Sequence, residues 1–452
     1  LQSSAASDVY KRQTQDLSYR KAIQQATEVL GSDEVRLAIE ETMGEPYRKA
    51  LDDILVYTAT GGVATNDIGA VDKFFSAARI NVTIGIMGLN LRSILTQPLG
   101  LIQSIERLGV KNVANGVAWF WGRPHHIPQR IKQINEMSPY MAERSNTMTR
   151  ELDDLSNQIQ NKTKLKNMKE FGFKPMVFVD VVSVAYPTWW GSYSAAMDGR
   201  IDNIDAGDEA AAIRFADMQV RTTQGSGGAQ NLSKVQQMSE LTKLMTMFYG
   251  YFNTTYNLQA EAYQKARADG SSVPRALLKK EFIGSTILLQ IIPAILADLL
   301  LEKWPDPEEE DEDPLYSWSK WSMASIAKYS SAQLVGVRDF VSAVISGYEL
   351  SVTPALAPGQ GFGQLFNMFA KPIKTAGKDG LEFAYEDAVE IFGSPRFYKK
   401  LIFTAGTAAG VPGTNTIART ADYLYKFSTD ELKKPPRNVA EFAQGVLLTG
   451  DR

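Results

Sequence analysis

A chain of 452 residues exceeds what one compact core organises, so its length points to two or three domains. The 44% hydrophobic and 22% charged composition is globular, and 48 basic against 51 acidic side chains exclude a general electrostatic attraction to nucleic acid. With no cysteine, disulfides, thiolate zinc sites and thiol catalysis are excluded as well.

The first residue is Leu1, and Ser3 to Gln13 resembles a translated sequencing-adapter scar of the kind seen in assembled metagenomic reads. Residues 1–13 are therefore set aside from the fold, and the reading frame is expected to extend upstream. No charged-then-apolar leader follows, so secretion by signal peptide is not expected. From Gln15 to Thr58, Leu17, Val29, Leu30, Leu37, Tyr47, Leu51, Ile54 and Leu55 recur at helical spacing, with Pro46 placed to open a helix. Val71, Phe74, Phe75 and Ala78 begin a further helix expected to run through the apolar stretch Ile80 to Ile102 until Gly109. Pro128 to Lys169 carries apolar residues every three or four positions among charges, as a surface-lying amphipathic pair would. Met176 to Ala185 is rich in β-branched residues and is read as a buried helix.

Asp208 is placed to cap a helix through Ile213, Ala216 and Val220, ahead of a glycine-rich hinge at Gly225 to Gly228. A helix starting near Ser233 puts Leu241, Leu244, Met245, Phe248, Tyr251 and Phe252 on one face. Such a stripe is ordinarily core, and becomes an adaptable partner face if exposed. The run Asp306 to Asp313 repels itself and reads as a linker, followed by helices at Tyr316 to Ile345 and Gly380 to Phe392. The expected fold is mainly α: a multi-helix, bundle-like, extended or multi-domain chain with little or no β-sheet. Its expected regions are 14–205, 206–304, an acidic linker at 305–314, and 315–452.

The most informative segment is Phe282 to Leu301, whose twenty residues include one charge, Asp298. At about 1.5 Å per residue it matches a bilayer core of about 30 Å. Lys279, Lys280 and Trp304 would suit the interfacial layers. Its lipid contacts would be Phe282, Ile287, Leu288, Leu289, Ile291, Ile292, Leu296, Leu299, Leu300 and Trp304. Asp298 and Pro293 count against insertion, and a core helix of a large bundle is the competing reading.

Sites for chemistry are sparse. His125 and His126 are adjacent in a proline-bounded turn, and neighbouring side chains diverge, which disfavours joint metal coordination. The glycine runs at Gly225 to Gly228 and Gly359 to Gly363 lack the Lys-Ser or Lys-Thr ending of a phosphate cradle. Asp202, Asp205, Asp208 and Glu209 do not follow calcium-loop spacing. No catalytic residue, metal or cofactor is therefore expected.

Three stretches in order, Phe215 to Ser226, Leu244 to Asn257, and the apolar helix with the acidic run ending at Val335 to Asp339, resemble the helical region of bacteriophage and mobile-element large polyvalent proteins. The resemblance covers roughly residues 180–345 and carries no catalytic residue. It implies a non-enzymatic interaction region packaged in the virion and delivered with DNA into a host cell. Its partners would be other virion proteins, a second copy of the chain, or a lipid bilayer met during delivery. Two rivals stand beside it. One is a cell-wall lytic or nucleotide-modifying enzyme within 100–230, with Trp119, Trp121, Trp189 and Trp190 lining a groove. The other is a weakly supported nucleic-acid module using Lys162, Lys164, Lys166 and Lys169.

Overall fold

In the computed structural model, the described residues are 24–45, 48–49, 51–52, 70–144, 172, 175–176, 178–225, 250–268, 270–301, 313–332, 365, 367–368, 371, 389–391, 393–432 and 435–449. Among them 84% are helical and none forms a strand, so the fold is mainly α. The chain divides into two compact units, residues 1–75 with 228–243, and residues 76–227 with 244–452.

In the first unit, α1 (Asp33–Met43) opens with two acids in its first turn, where the helix dipole favours them. Arg36 and Arg48 both reach Asp52 Oδ2, at 2.8 and 3.0 Å.

The second unit holds the functional surfaces. α2 (Ala70–Met87) enters it, followed by α3 (Leu91–Thr96), α4 (Leu101–Leu108), α5 (Val110–Trp121), α6 (Ile127–Met137) and α7 (Pro139–Arg144). The continuous helix expected over Ile80 to Ile102 is instead broken at Gly88, Leu89 and Asn90. Leu89 adopts a positive φ of 51°, and the Asn90 carboxamide oxygen accepts the Ser93 N–H to start α3. The freed backbone groups find partners elsewhere: Leu89 N–H donates to Gly172 O, and Gly413 N–H donates to Gly88 O. These bonds offset a strain of about 1–3 kcal/mol at Leu89.

A π segment (Val181–Ala185) leads into α8 (Tyr186–Met197), and α9 (Glu209–Thr223) follows. Met176 to Ala185 is therefore helical where it is described. Asp208 caps α9 as expected, its carboxylate accepting the Ala211 N–H at 3.0 Å. The main core forms where α5, α6, α7 and α9 surround α8, with Phe120, Ile134, Met141, Trp189 and Val220 sealed from solvent. Residues 128–144 thus contribute core through Ile134 and Met141 rather than lying wholly on the surface. Trp189 Nε1 donates to Asp217 Oδ1 at 2.7 Å, and Ser138 Oγ donates to the same oxygen at 2.6 Å. Ser138 Oγ also accepts the Met141 N–H, so one carboxylate ties three helices together. Arg144 is almost fully enclosed and donates to Tyr140 Oη and Gly225 O, with Asp180 at 4.0 Å. Burial pushes the Asp180 carboxyl up, against the pull of Arg144.

Onto this core pack α10 (Gly250–Arg267), α11 (Val273–Leu277), α12 (Lys280–Leu300) and α13 (Pro314–Ser331). A hairpin of α14 (Pro395–Ala409) and α15 (Thr414–Ser428) follows, then α16 (Val439–Gln444) running into a π segment (Gly445–Thr449). The π turns at Val181–Ala185 and at Ile287–Ile291 within α12 share a cause. Each precedes a proline by two residues, Pro187 and Pro293. A proline ring has no N–H to donate and clashes with the carbonyl four residues back. The helix widens by one residue, so Tyr186 N–H reaches Val181 O and Ile292 N–H reaches Ile287 O.

Helices α5 and α8 touch backbone to backbone. A Cβ at Gly116 would stand 2.0 Å from Pro187 O and 2.8 Å from Gly191 N. Gly116→Ala is therefore expected to force α5 off α8 and lose about 3 kcal/mol or more of stability. Chemical denaturation checks this, with Gly284→Ala as control, since a Cβ there meets nothing within 4 Å.

Candidate membrane-facing surface

The 21 residues Lys280 to Leu300 form one helix, and an 18-residue stretch within it has a mean hydropathy of 1.9, with about 28% of that stretch buried in the protein. Lys280 and Glu281 at its start are exposed, whereas Thr286, Gln290 and Asp298 are turned toward neighbouring helices. Thr286 Oγ1 accepts from Gln259 Nε2 at 3.1 Å, and Gln290 Nε2 donates to Gln259 Oε1 at 2.7 Å, joining α12 to α10. Ser285, Leu289 and Gln290 are buried, and Ser325 Oγ of α13 donates to Asp298 Oδ2 at 2.5 Å.

Four large apolar side chains take the opposite side of this division. Ile283 and Ile287, one turn apart before the π segment, are 41% and 43% exposed; Leu296 and Leu300, one turn apart after it, are 39% and 48% exposed. Of the residues expected to meet lipid, Ile287, Leu296 and Leu300 are exposed, and Leu288, Ile291, Ile292 and Leu299 are half-buried. Phe282 is half-buried with its ring edge on Tyr263, and Leu289 is enclosed. Trp304 lies outside the described residues. Ile283 was not singled out from sequence, although it stands in the same apolar run.

The same inversion continues on α13, which packs on α12. Ser317 and Ser325 are buried while Leu315, Tyr316 and Met323 are exposed, Leu315 at 75%. Spacing alone does not separate these residues from core. The signal lay in the serines that alternate with them, because a stripe of small polar residues marks the side on which helices approach.

Of the expected partner face, Leu241, Leu244, Met245 and Phe248 lie outside the described residues. Tyr251 and Phe252 are half-buried against α13, with Tyr251 Oη 2.7 Å from Tyr329 Oη and Phe252 edge-on to the Tyr329 ring. The four tryptophans considered as a groove are mostly packed on one another: Trp119 stacks on Trp190 at 3.6 Å, Trp189 is sealed, and Trp121 is exposed. Asp217, the carboxylate bonded to this cluster, is occupied by Trp189 and Ser138. The His125 and His126 rings meet edge to face on an exposed turn; desolvation, His125, Arg130 and Arg123 together keep His126 below the usual range. Among the described residues, no group of three or more His, Asp or Glu stands close enough to hold a metal ion. Lys162 to Lys169, the acidic run before Asp313, and Gly359 to Gly363 lie outside the described residues.

At the seam of α4 and α10, Arg107 pairs with Glu261, which Lys265 also approaches at 3.4 Å. Burial works against the Glu261 charge, but Arg107 and Lys265 outweigh it and hold the carboxyl below its ordinary range. Glu106 beside them goes the other way, because burial outweighs the help of Lys265 and Arg107. No known protein family, curated protein or solved structure matches the chain.

Because Glu106 titrates higher folded than unfolded, the folded state binds its proton more tightly, so this group disfavours folding above its raised pKa and the penalty fades as pH falls toward 4.5. Glu106→Gln is expected to raise Tm at pH 7.5 and to leave little difference from wild type near pH 5. Thermal melts at both values check this; a variant less stable than wild type at pH 7.5 contradicts it.

Proposed function

We propose that this chain is a non-enzymatic α-helical interaction region of a phage virion-associated polyvalent protein, and that α12 engages a lipid bilayer during delivery into the host cell. One observation carries the bilayer part: α12 pairs Thr286 and Gln290 with α10 and Asp298 with α13 while leaving Ile283, Ile287, Leu296 and Leu300 exposed. The magnitudes favour that orientation. A lipid-facing Asp at mid-helix would cost about 2.5–3.5 kcal/mol, whereas each exposed Leu or Ile gains roughly 0.3–0.6 kcal/mol on insertion. Asp298 is near the helix end and bonded to Ser325, which lowers the main cost counted against this segment.

At the start of α12, exposed Lys280 stands beside exposed Glu281, whose carboxylate complements the helix dipole there. The delivery context rests on the resemblance over residues 180–345, which α9, α10, α12 and α13 span in part.

Flotation with liposomes tests the bilayer reading. The double variant Ile287→Asp/Leu296→Asp changes two exposed positions and should retain its far-UV helix signal while flotation falls about tenfold or more. Leu289 is unsuitable for this purpose, because it is enclosed and its substitution would unfold the site. Equal flotation of variant and wild type, or none by either, removes the reading; concentration-dependent self-association lost in the variant would assign the surface to a second copy instead.

A further inference from the structure

Between Glu106 and Glu136 the sequence carries no acidic residue, and the cations of this stretch gather on the turn that joins α5 to α6. Arg123, His125, His126 and Arg130 all belong to it. The His126 N–H donates to Arg123 O at 3.0 Å, and the two imidazole rings stand 4.3 Å apart. Arg130 folds back from α6: its guanidinium donates to Phe120 O at 2.8 Å and to Arg123 O at 3.4 Å, and lies 4.9 Å from the Trp119 ring. Arg123 and His125 are exposed, while His126 and Arg130 are half-buried. Trp121 is 40% exposed and stands two residues before Arg123, so their Cα atoms are at most about 7–8 Å apart.

Among the described residues no carboxylate pairs with any of these four cations. Glu136 is taken by Lys132 at 3.7 Å, and Asp198 sits at the far end of α5 with Arg200, which reaches Asn112. α8 packs on both helices and brings Tyr186 and Tyr193, which burial keeps uncharged near neutral pH. His125, Arg130 and Arg123 all work against a charge on His126. The cluster repels itself, and an anion shared by its members relieves that repulsion.

The residues of the turn select the anion. Arginine forks match the paired oxygens of phosphate. Of the large apolar side chains in the described residues 111–137, Trp121 alone is exposed. One ring lacks the apolar area that holds a segment in a bilayer, whereas it suits stacking on a base, whose face is open in a single strand. The formal charge of -3 gives no general attraction to nucleic acid, so such binding is local.

We propose that the turn between α5 and α6 binds single-stranded nucleic acid, its arginines and histidines meeting the phosphates and Trp121 stacking on a base. The site does not depend on the bilayer reading of α12.

The test uses the full chain, a fluorescein-labelled oligothymidylate and fluorescence anisotropy, with Arg123→Gln and Trp121→Ala checked for helix content by circular dichroism. Wild type is expected to bind more tightly at pH 6 than at pH 7.5, because phosphate favours the protonated histidines and binding takes up protons. Arg123→Gln should weaken binding about fivefold and lower the salt slope by about one. Trp121→Ala should weaken it about tenfold and leave that slope unchanged. The Arg123 side chain has no partner among the described residues, so Arg123→Gln keeps the test decisive should Trp121→Ala lose helix signal. Equal affinity of wild type and Arg123→Gln, or no binding by wild type, overturns the site. A loss in Arg123→Gln with none in a folded Trp121→Ala removes the stacking and overturns the assignment to single strands. Phosphatidylglycerol vesicles that bind through Arg123 when the oligonucleotide does not would reassign the turn to lipid and overturn the proposal.

Discussion

An amide or carboxylate removed from water needs a partner, and that constraint sets how α12 is turned. Gln290, Thr286 and Asp298 are each bonded to a neighbouring helix. An orphaned group of this kind costs about 1–3 kcal/mol, of the same order as the roughly 1.5–3 kcal/mol gained by fully burying one isoleucine, so it is the three bonded groups taken together that outweigh such a burial. With that side of α12 so occupied, Ile283, Ile287, Leu296 and Leu300 face outward. The π turn ahead of Pro293 belongs to the same solution, because it preserves backbone bonding past a residue that has no N–H.

The rest of the second unit supplies a frame for that helix. Gly116 and Gly191 let α5 and α8 meet at backbone distance, and Asp217 gathers Ser138 and the Trp189 indole so that a sealed tryptophan leaves no donor unpaired. From this core, α4 and α9 reach α10, and Gln103 Nε2 donates to Thr255 Oγ1 at 2.7 Å. The polar seam continues into the pairing of Gln259 with Thr286 and Gln290 of α12.

Helical class was legible from three-and-four spacing, and so were local devices such as the Asp208 cap. The break at Leu89 was not, because the bonds that permit it come from Gly172 and Gly413, both remote in sequence. Apolar content identified α12, yet it could not tell enclosed Leu289 from exposed Ile287: both are apolar, and the difference lies in which helix each faces. The contact of α15 with the turn before α3 was equally hidden, since 327 residues separate Thr416 from Leu89. The tryptophans were read as a possible groove because sequence does not reveal that Trp119 and Trp190 stack on each other.

A chain with no cysteine accepts single labels cleanly, which suits a direct test of the orientation of α12. Nitroxide labels at Ile287 and Leu296, and at exposed Met218 of α9 as a control, can be compared by collision with oxygen, which concentrates in lipid, and with a water-soluble nickel chelate. On adding vesicles, labels at Ile287 and Leu296 should gain oxygen collisions and lose nickel collisions, while the label at Met218 keeps its nickel access. Unchanged nickel access at Ile287 and Leu296 in the presence of vesicles would contradict the account.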